Sequence, residues 1–342
     1  MLHAGIDMHK KFSVATVVDD AGEDIVRGRR LENSEEETRR FFDEFDEELK
    51  VVIEAGPSWQ WMCDLLDELG LDNKLCHPLK TKAIASAKIK TDKIDSKILA
   101  HLCRMDFIPE AHKADRDTRH LRELLRFRAS LVRMRANVKN CVHSLLAKLN
   151  VRHSYSDFFG KEGTRFLREL TLPSAYREAL DGYMKIIGAL SAEVKKAEKR
   201  VSGAYKGSPE AQLLSTIPGV GPLLALTIAS EIDDIDRFHS AKHLSSFAGL
   251  VPSTSQSGGN TRHGKITRQG SAWLRWALAE AIIHTVRYPG PLRDFYMKHE
   301  KRQGKKIARV AAARKLSTYI YHILKEKKDY QAVVRYLKSD RG

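Results

Sequence analysis

The chain has 342 residues, with 59 Lys+Arg against 44 Asp+Glu and a formal net charge of +15. It is 42% hydrophobic and 30% charged, a globular composition with room for more than one core, and no apolar run reaches the roughly 18–20 residues a membrane-spanning helix needs. Cys63, Cys76, Cys103 and Cys141 have no paired spacing, and MLHAGIDMHKKF holds no apolar core of signal-peptide length, so a disulfide scaffold, a zinc cluster and a secreted protein are not expected.

The N-terminal stretch reads as α/β. Residues 2–7 (LHAGID) are a short apolar run, residues 12–18 (FSVATVV) are β-branched and partly alternating, and residues 25–31 suit a third strand after the turn-like DDAGED. Ser34 before Glu35, Glu36 and Glu37 is an N-cap with acids in the first turn, which predicts a helix to about Phe45. Residues 51–55 (VVIEA) are a compact buried-type strand. A helix over 58–68, a short strand over 74–77 and a helix over 93–103 follow. This order is the one expected of a ribonuclease-H-like sheet.

The middle of the chain changes character. Leu124, Phe127, Leu131, Met134, Val138, Cys141 and Leu145 recur at alternating spacings of three and four. So do Leu180, Tyr183, Ile187, Leu190, Val194, Ala197, Val201 and Ala204. Two long helices are expected, paired with each other or across a subunit interface. Sustained heptads favour an oligomer over a hairpin confined to one chain. Residues 150–173 form a polar link. Helices over 211–216 and 223–230 flank the turn IPGVGP at 217–222; residues 249–270 are rich in Gly, Ser and Thr and read as a loop, and basic helices follow over 272–286 and 307–326. The domain boundaries expected are 1–110, 111–205 and 206–342.

Charge is distributed unevenly. Residues 1–75 hold 9 basic and 19 acidic side chains, a net of −10; residues 76–236 are at +9; residues 237–342, with 22 basic and 6 acidic, are at +16. A segment at +16 points to phosphate backbones, where each Lys or Arg contact releases condensed counterions. The alternatives are a solvated basic surface or a membrane-surface binder.

Asp7 and Glu54 close two apolar strands, and Asp92 and Asp95 lie three apart in KTDKIDSKILA. Residues three apart on a helix are separated by about 60° in azimuth, so the two aspartates share a face. Carboxylates gathered at strand ends repel unless cations neutralise them, and hard oxygen ligands suit Mg²⁺, with Mn²⁺ as the alternative. A pair of such ions assists phosphodiester chemistry. Each acid alone reads equally as a cap or turn residue. Glu54 is the sharpest of the set, since a carboxylate beside Val51, Val52 and Ile53 is costly without a partner. Lys90, Lys93 and Lys97 fit a nearby phosphate backbone or salt bridges on the helix surface.

Gly219 and Gly221 in IPGVGP resemble a helix-hairpin-helix turn, whose open N–H groups hold a phosphate; a plain helix connection is the other reading. Ser257 precedes Gly258 and Gly259, with Arg262, Lys265 and Arg268 following to neutralise a phosphate. From composition this is a solvent loop, because a serine hydroxyl is a poor nucleophile until activated. His9, His239, His243 and His263 show no ligand-like pairing and are expected to be surface or core histidines.

In order, these pieces resemble the DEDD transposases of insertion sequences, with an N-terminal domain like the RuvC Holliday-junction resolvase and a C-terminal domain carrying a nucleophilic serine. GIDMHK, VIEAG and KTDKIDSKILA carry the first half of the resemblance. STIPGVGP, FAGLVPSTSQSGG, HGKITRQGSAWLR and GKKIARVAAARKLSTYIYHILK carry the second. Ser271 departs from the Asn or Asp expected there. The resemblance implies a RuvC-like α/β domain, coiled-coil helices and an all-α C-terminal domain. It implies Mg²⁺ on Asp7, Glu54, Asp92 and Asp95, and a covalent phosphoserine–DNA intermediate on Ser257, with Ser255 as the alternative. It further implies a structured bridge RNA, a dimer or tetramer with the acidic site and the serine on different subunits, and work on DNA in the prokaryotic cytoplasm at the nucleoid. Lys305 and Lys306 join Lys90, Lys93, Gly219, Gly221, Arg262, Lys265 and Arg268 as expected nucleic-acid contacts. A DNA invertase of the same architecture, or a RuvC-like nuclease using metal-activated water, are the alternatives.

Overall fold

The computed structural model describes residues 1–56, 58–85, 91–257 and 260–339. The chain divides into two compact units, Met1–Ala114 and Asp115–Gly342.

The first unit is built on five strands: β1 (Leu2–Met8), β2 (Phe12–Val18), β3 (Asp24–Glu32), β4 (Leu49–Glu54) and β5 (Asp72–Cys76). Their order is β3-β2-β1-β4-β5. β1, β2 and β3 pair antiparallel, while β1 with β4 and β4 with β5 pair parallel. Strand alternation sends Ala4, Ile6, Val51 and Ile53 to one face, where they pack with Phe41 of α1 (Glu35–Phe42) and Met62 and Leu66 of α2 (Trp59–Glu68). Val52 points to the other face and joins Leu99 and Cys103 of α4 (Asp92–Arg104). α3 (Pro78–Ile84) lies between β5 and α4 in the chain. The predicted order of strands and helices is present. Ser34 caps α1 by accepting from the Glu37 amide, and α1 stops at Phe42, short of the expected Phe45.

The second unit is mostly helical: α5 (Arg116–Lys148), α6 (Lys161–Glu169), α7 (Ser174–Lys206), α8 (Pro209–Leu214), α9 (Pro222–Ile232) and α10 (Ala241–Phe247), then α11 (Ala272–Thr285), α12 (Pro291–Gln303), α13 (Lys305–Glu326) and α14 (Tyr330–Ser339). α5 and α7 run antiparallel within one chain. Arg128 Nη2 meets Glu198 Oε1 at 2.6 Å, Arg135 Nη1 donates to Ser191 Oγ at 3.3 Å, and Leu145 and Leu146 cluster with Leu180. The predicted seam of α7 is buried at Leu180, Ile187, Val194, Ala197 and Val201. That of α5 is met only in part. Leu131 and Leu145 are buried, but Phe127 and Met134 are 47% and 43% exposed and Cys141 is exposed; Leu125, Val142 and Leu146 are buried instead. A straight helix drifts about 20° per heptad, and on α5 the buried positions shift off the predicted stripe to Leu125, Val142 and Leu146. α9 is buried all round from Leu224 to Ile232 and is the axis of the C-terminal core.

Two corrections follow. The C-terminal region is not all-α: β6 (Pro252–Ser257) and β7 (Asn260–Ile266) form an antiparallel ribbon where a loop was expected. Its strands are polar, so they carry no hydrophobic alternation, although a two-residue Gly-Gly connection is a hairpin signal. The polar link at 150–173 contains α6, and α3, α10, α12 and α14 also went unpredicted. Among the described residues, no helix is long and apolar enough to cross a membrane.

Candidate active site

Asp7 and Glu54 stand side by side because β1 and β4 are parallel and in register up to Ile6 and Ile53. α4 brings the other two acids. Thr91 caps it by accepting from the Ile94 amide, leaving Asp92 and Asp95 in the first turn, where acids complement the helix dipole. The helix lies directly on β1 at Gly5, where any Cβ would run into the Ser96 carbonyl oxygen and the Ala100 amide. Thr16 Oγ1 and Ser96 Oγ share a buried hydrogen bond of 2.8 Å, and Lys97 Nζ donates to Asp24 Oδ2 at 2.8 Å. Lys97 is therefore a structural clamp, and its hydrogen bond holds the Asp24 carboxyl below its ordinary value.

The carboxylates act on one another. Asp7 is 8% exposed, and its carboxyl is pushed up to about 6. Burial is the largest cause; His9 opposes it, while Glu54, Asp95 and Asp92 add to it. His9 was expected to be a surface or core residue. Instead its Nε2 lies 3.1 Å from Asp92 Oδ2 and 3.4 Å from Asp7 Oδ2. Two residues after Asp7 on a strand end, it shares the face of Asp7, and that i, i+2 relation was the available signal. One ligand atom each from Asp7, His9 and Asp92 lies within 4.8 Å of the others. Hard oxygens and one buried nitrogen in that space fit a divalent cation. Lys93 is exposed, with its stem against Gly28. Lys90 lies outside the described residues.

The second group of expected residues lies in the helical unit. Gly219 (φ +84°) sits on the end of α11, where a Cβ would come within 2.7 Å of the His284 carbonyl carbon; Gly221, the N-cap of α9, faces open space. The close approach thus explains Gly219 by packing, and of the two only Gly221 has an unobstructed side. In the ribbon Ser257 is the last residue of β6, paired with Asn260, and Ser255 is paired with Arg262. Gly258 and Gly259 lie outside the described residues. Arg262, Lys265 and Arg268 are exposed along the ribbon and its base, and Lys305 and Lys306 are exposed in the first turn of α13.

A family model described as a transposase, of the DEDD type of IS110, matches residues 4–151, and the transposase IS116/IS110/IS902 family model matches residues 211–297. The chain belongs to the IS110 family of DEDD transposases. Its relatives include a probable family 20 transposase of Pseudomonas aeruginosa, 25% identical over 96% of this chain and 98% of the relative. The transposase for insertion sequence element IS1111A of Coxiella burnetii is 26% identical over 82% and 79%. A pilin gene-inverting protein of Moraxella bovis is 30% identical over 50% of this chain and 56% of its own length. As a transposase the chain is an enzyme of DNA cleavage and strand transfer, and its DEDD domain implies a divalent metal. All four clustered acids of this transposase fall within the first matched segment, and Gly219, Gly221 and the ribbon fall within the second. Lys305 and Lys306 fall beyond both.

Proposed function

We propose that this transposase breaks and rejoins DNA strands with Asp7, Glu54, Asp92 and Asp95 as ligands of Mg²⁺ and Ser257 as the nucleophile. The observation that carries the reading is that Asp92 and His9 come within ligand distance of Asp7, with Glu54 and Asp95 near enough to raise its carboxyl, at the cost of burying Asp7 among like charges. Such a cluster is costly in a fold without function and useful around a cation. The sheet order, with acids at the ends of β1 and β4, supports a ribonuclease-H-like, RuvC-like domain. A bound divalent ion supplies charge neutralisation and Lewis-acid stabilisation of phosphodiester oxygens.

The chain's own residues do the rest. Ser257 Oγ gives up its proton to solvent and forms a bond to a DNA phosphorus, while the bond from phosphorus to the leaving deoxyribose oxygen breaks and that oxygen takes up a proton from solvent as a free hydroxyl. A hydroxyl of the other strand reverses the exchange and frees the serine. Arg262, Lys265 and Arg268 neutralise the phosphate and its neighbours; Lys90, Lys93, Gly221, Lys305 and Lys306 hold other stretches of backbone. A structured bridge RNA pairs with target and donor DNA, a reading that rests on the family resemblance and on the basic C-terminal segment. The working unit is a homo-oligomer on nucleoid DNA, supported by Phe127, Met134 and Cys141, spaced seven apart and exposed on α5.

The test is a denaturing gel of protein incubated with Mg²⁺, its element's junction DNA and the adjacent noncoding RNA. A covalent adduct is expected from wild type and from Ser255→Ala, and none from Ser257→Ala. Cleavage without any adduct, unchanged in Ser257→Ala, would assign the chemistry to metal-activated water instead. The Moraxella bovis relative favours one second reading, site-specific inversion. Inverted rather than transferred segments in the products would identify it.

A further inference from the structure

We propose that His9 Nε2 is itself a ligand of the divalent ion, so that the centre is a mixed imidazole–carboxylate site with a stronger preference for Mn²⁺ over Mg²⁺ than oxygen ligands alone would give. The inference rests on the reading of Asp7 and its neighbours as a metal site. It begins from a nitrogen that is buried yet makes no hydrogen bond among the described residues. Asp92 Oδ2 and Asp7 Oδ2 are near it, at 3.1 and 3.4 Å. Donors at about 2.1 Å from one ion stand roughly 3.0 Å apart when adjacent in an octahedron, and about 4.2 Å when opposite. The observed separations are close to those of adjacent ligands, and the whole set lies within 4.8 Å.

The imidazole is also held in place from behind. Asn33 Nδ2 donates to the His9 carbonyl at 2.7 Å, and Ser13 Oγ donates to Asn33 Oδ1 at 2.7 Å. The His9 amide donates to the Phe12 carbonyl at 2.9 Å, closing the turn between β1 and β2. The His9 ring packs on Phe12 with centroids 4.7 Å apart, and the Arg30 guanidinium lies 3.8 Å from the centre of that Phe12 ring. A surface histidine has no need of this support, whereas a metal ligand gains from being oriented before the ion arrives. Imidazole nitrogen is a softer donor than carboxylate oxygen, and along the first-row series it favours transition ions over Mg²⁺.

The experiment uses the full chain with Mn²⁺ alone, read by electron paramagnetic resonance. Wild type should show nitrogen hyperfine coupling on the bound Mn²⁺, altered when the histidines carry heavy nitrogen, a comparison that needs no variant. His9→Ala, checked for fold by circular dichroism, should lose that coupling and bind Mn²⁺ roughly 10-fold more weakly or worse, with a smaller loss for competing Mg²⁺. Mn²⁺ that binds wild type, is lost in Asp7→Asn and shows no nitrogen coupling would overturn the proposal, leave the metal site standing and make His9 a counter-ion to the acids. Mn²⁺ binding that is absent, or indifferent to Asp7→Asn, would overturn the metal reading and this proposal with it.

Discussion

Asp7 carries an electrostatic burden set by its burial. Its pKa of about 6 lies above the ordinary 3.8, chiefly through burial. Between those values the folded protein holds a proton that the unfolded chain has released. Stability without metal therefore falls as pH rises from about 4 to about 6, and the penalty persists above that range. Asp7→Asn, which has no such charge, should gain in melting temperature relative to wild type across that window, a difference that paired thermal melts without metal would read. Added Mg²⁺ should raise the wild-type melting temperature at neutral pH and do little for the variant. At the same scale the departure at Ser271 has an explanation. Its hydroxyl accepts from the Leu274 amide as the N-cap of α11 and donates to Glu231 Oε2 at 2.8 Å. Glu231 is buried and also bound by Arg126 at 2.9 Å. An aspartate there would face a second carboxylate; serine caps the helix and satisfies Glu231 with one oxygen. The four acids were legible as candidates from their place in strand and helix patterns. His9 was legible only through its i, i+2 relation to Asp7, since its other partner, Asp92, is far away in sequence.

Among the elements, α4 decides whether the site exists. It delivers two of the four acids and reaches the sheet only because Gly5 has no side chain. Gly5→Ala leaves a permitted backbone but forces the helix outward, an overpacking that costs about 1–3 kcal/mol. The expected outcome is a folded but less stable protein with weakened divalent-ion binding, measured by denaturant melts and by calorimetric titration of Mn²⁺. Unchanged binding would mean that α4 yields without moving Asp92 and Asp95. The long helices teach a related lesson. α7 follows its heptads because it is covered along its length, whereas α5 turns Leu125 into the C-terminal core and leaves Phe127 and Met134 outside. Sequence periodicity identifies an apolar stripe; which neighbour covers it depends on packing.

At the scale of the whole molecule, charge and function divide along the chain. The first 75 residues are at −10 and residues 237–342 at +16, a division that suits the proposed metal chemistry in the first and the proposed phosphate binding in the second. Lys305 and Lys306 open α13 with positive charge at the positive end of the helix dipole, an arrangement a phosphate would relieve. Replacing both with alanine should reduce the slope of log affinity against log salt by roughly two for DNA of any sequence. Filter binding at several salt concentrations checks this, and an unchanged slope would remove both lysines from the interface.

By itself the sequence determined the order of strands and helices in the first unit apart from α3, the four candidate acids, the long helices and the basic C-terminal segment. All of these are local: a side-chain period, a cap, a composition or a motif carries each. Only the tertiary structure decided that His9 joins Asp7 and Asp92, that Lys97 serves Asp24, that Gly219 packs on α11, and that Ser257 ends a strand of a β-ribbon. Those outcomes depend on which distant backbone lies opposite, set by strand register and helix packing.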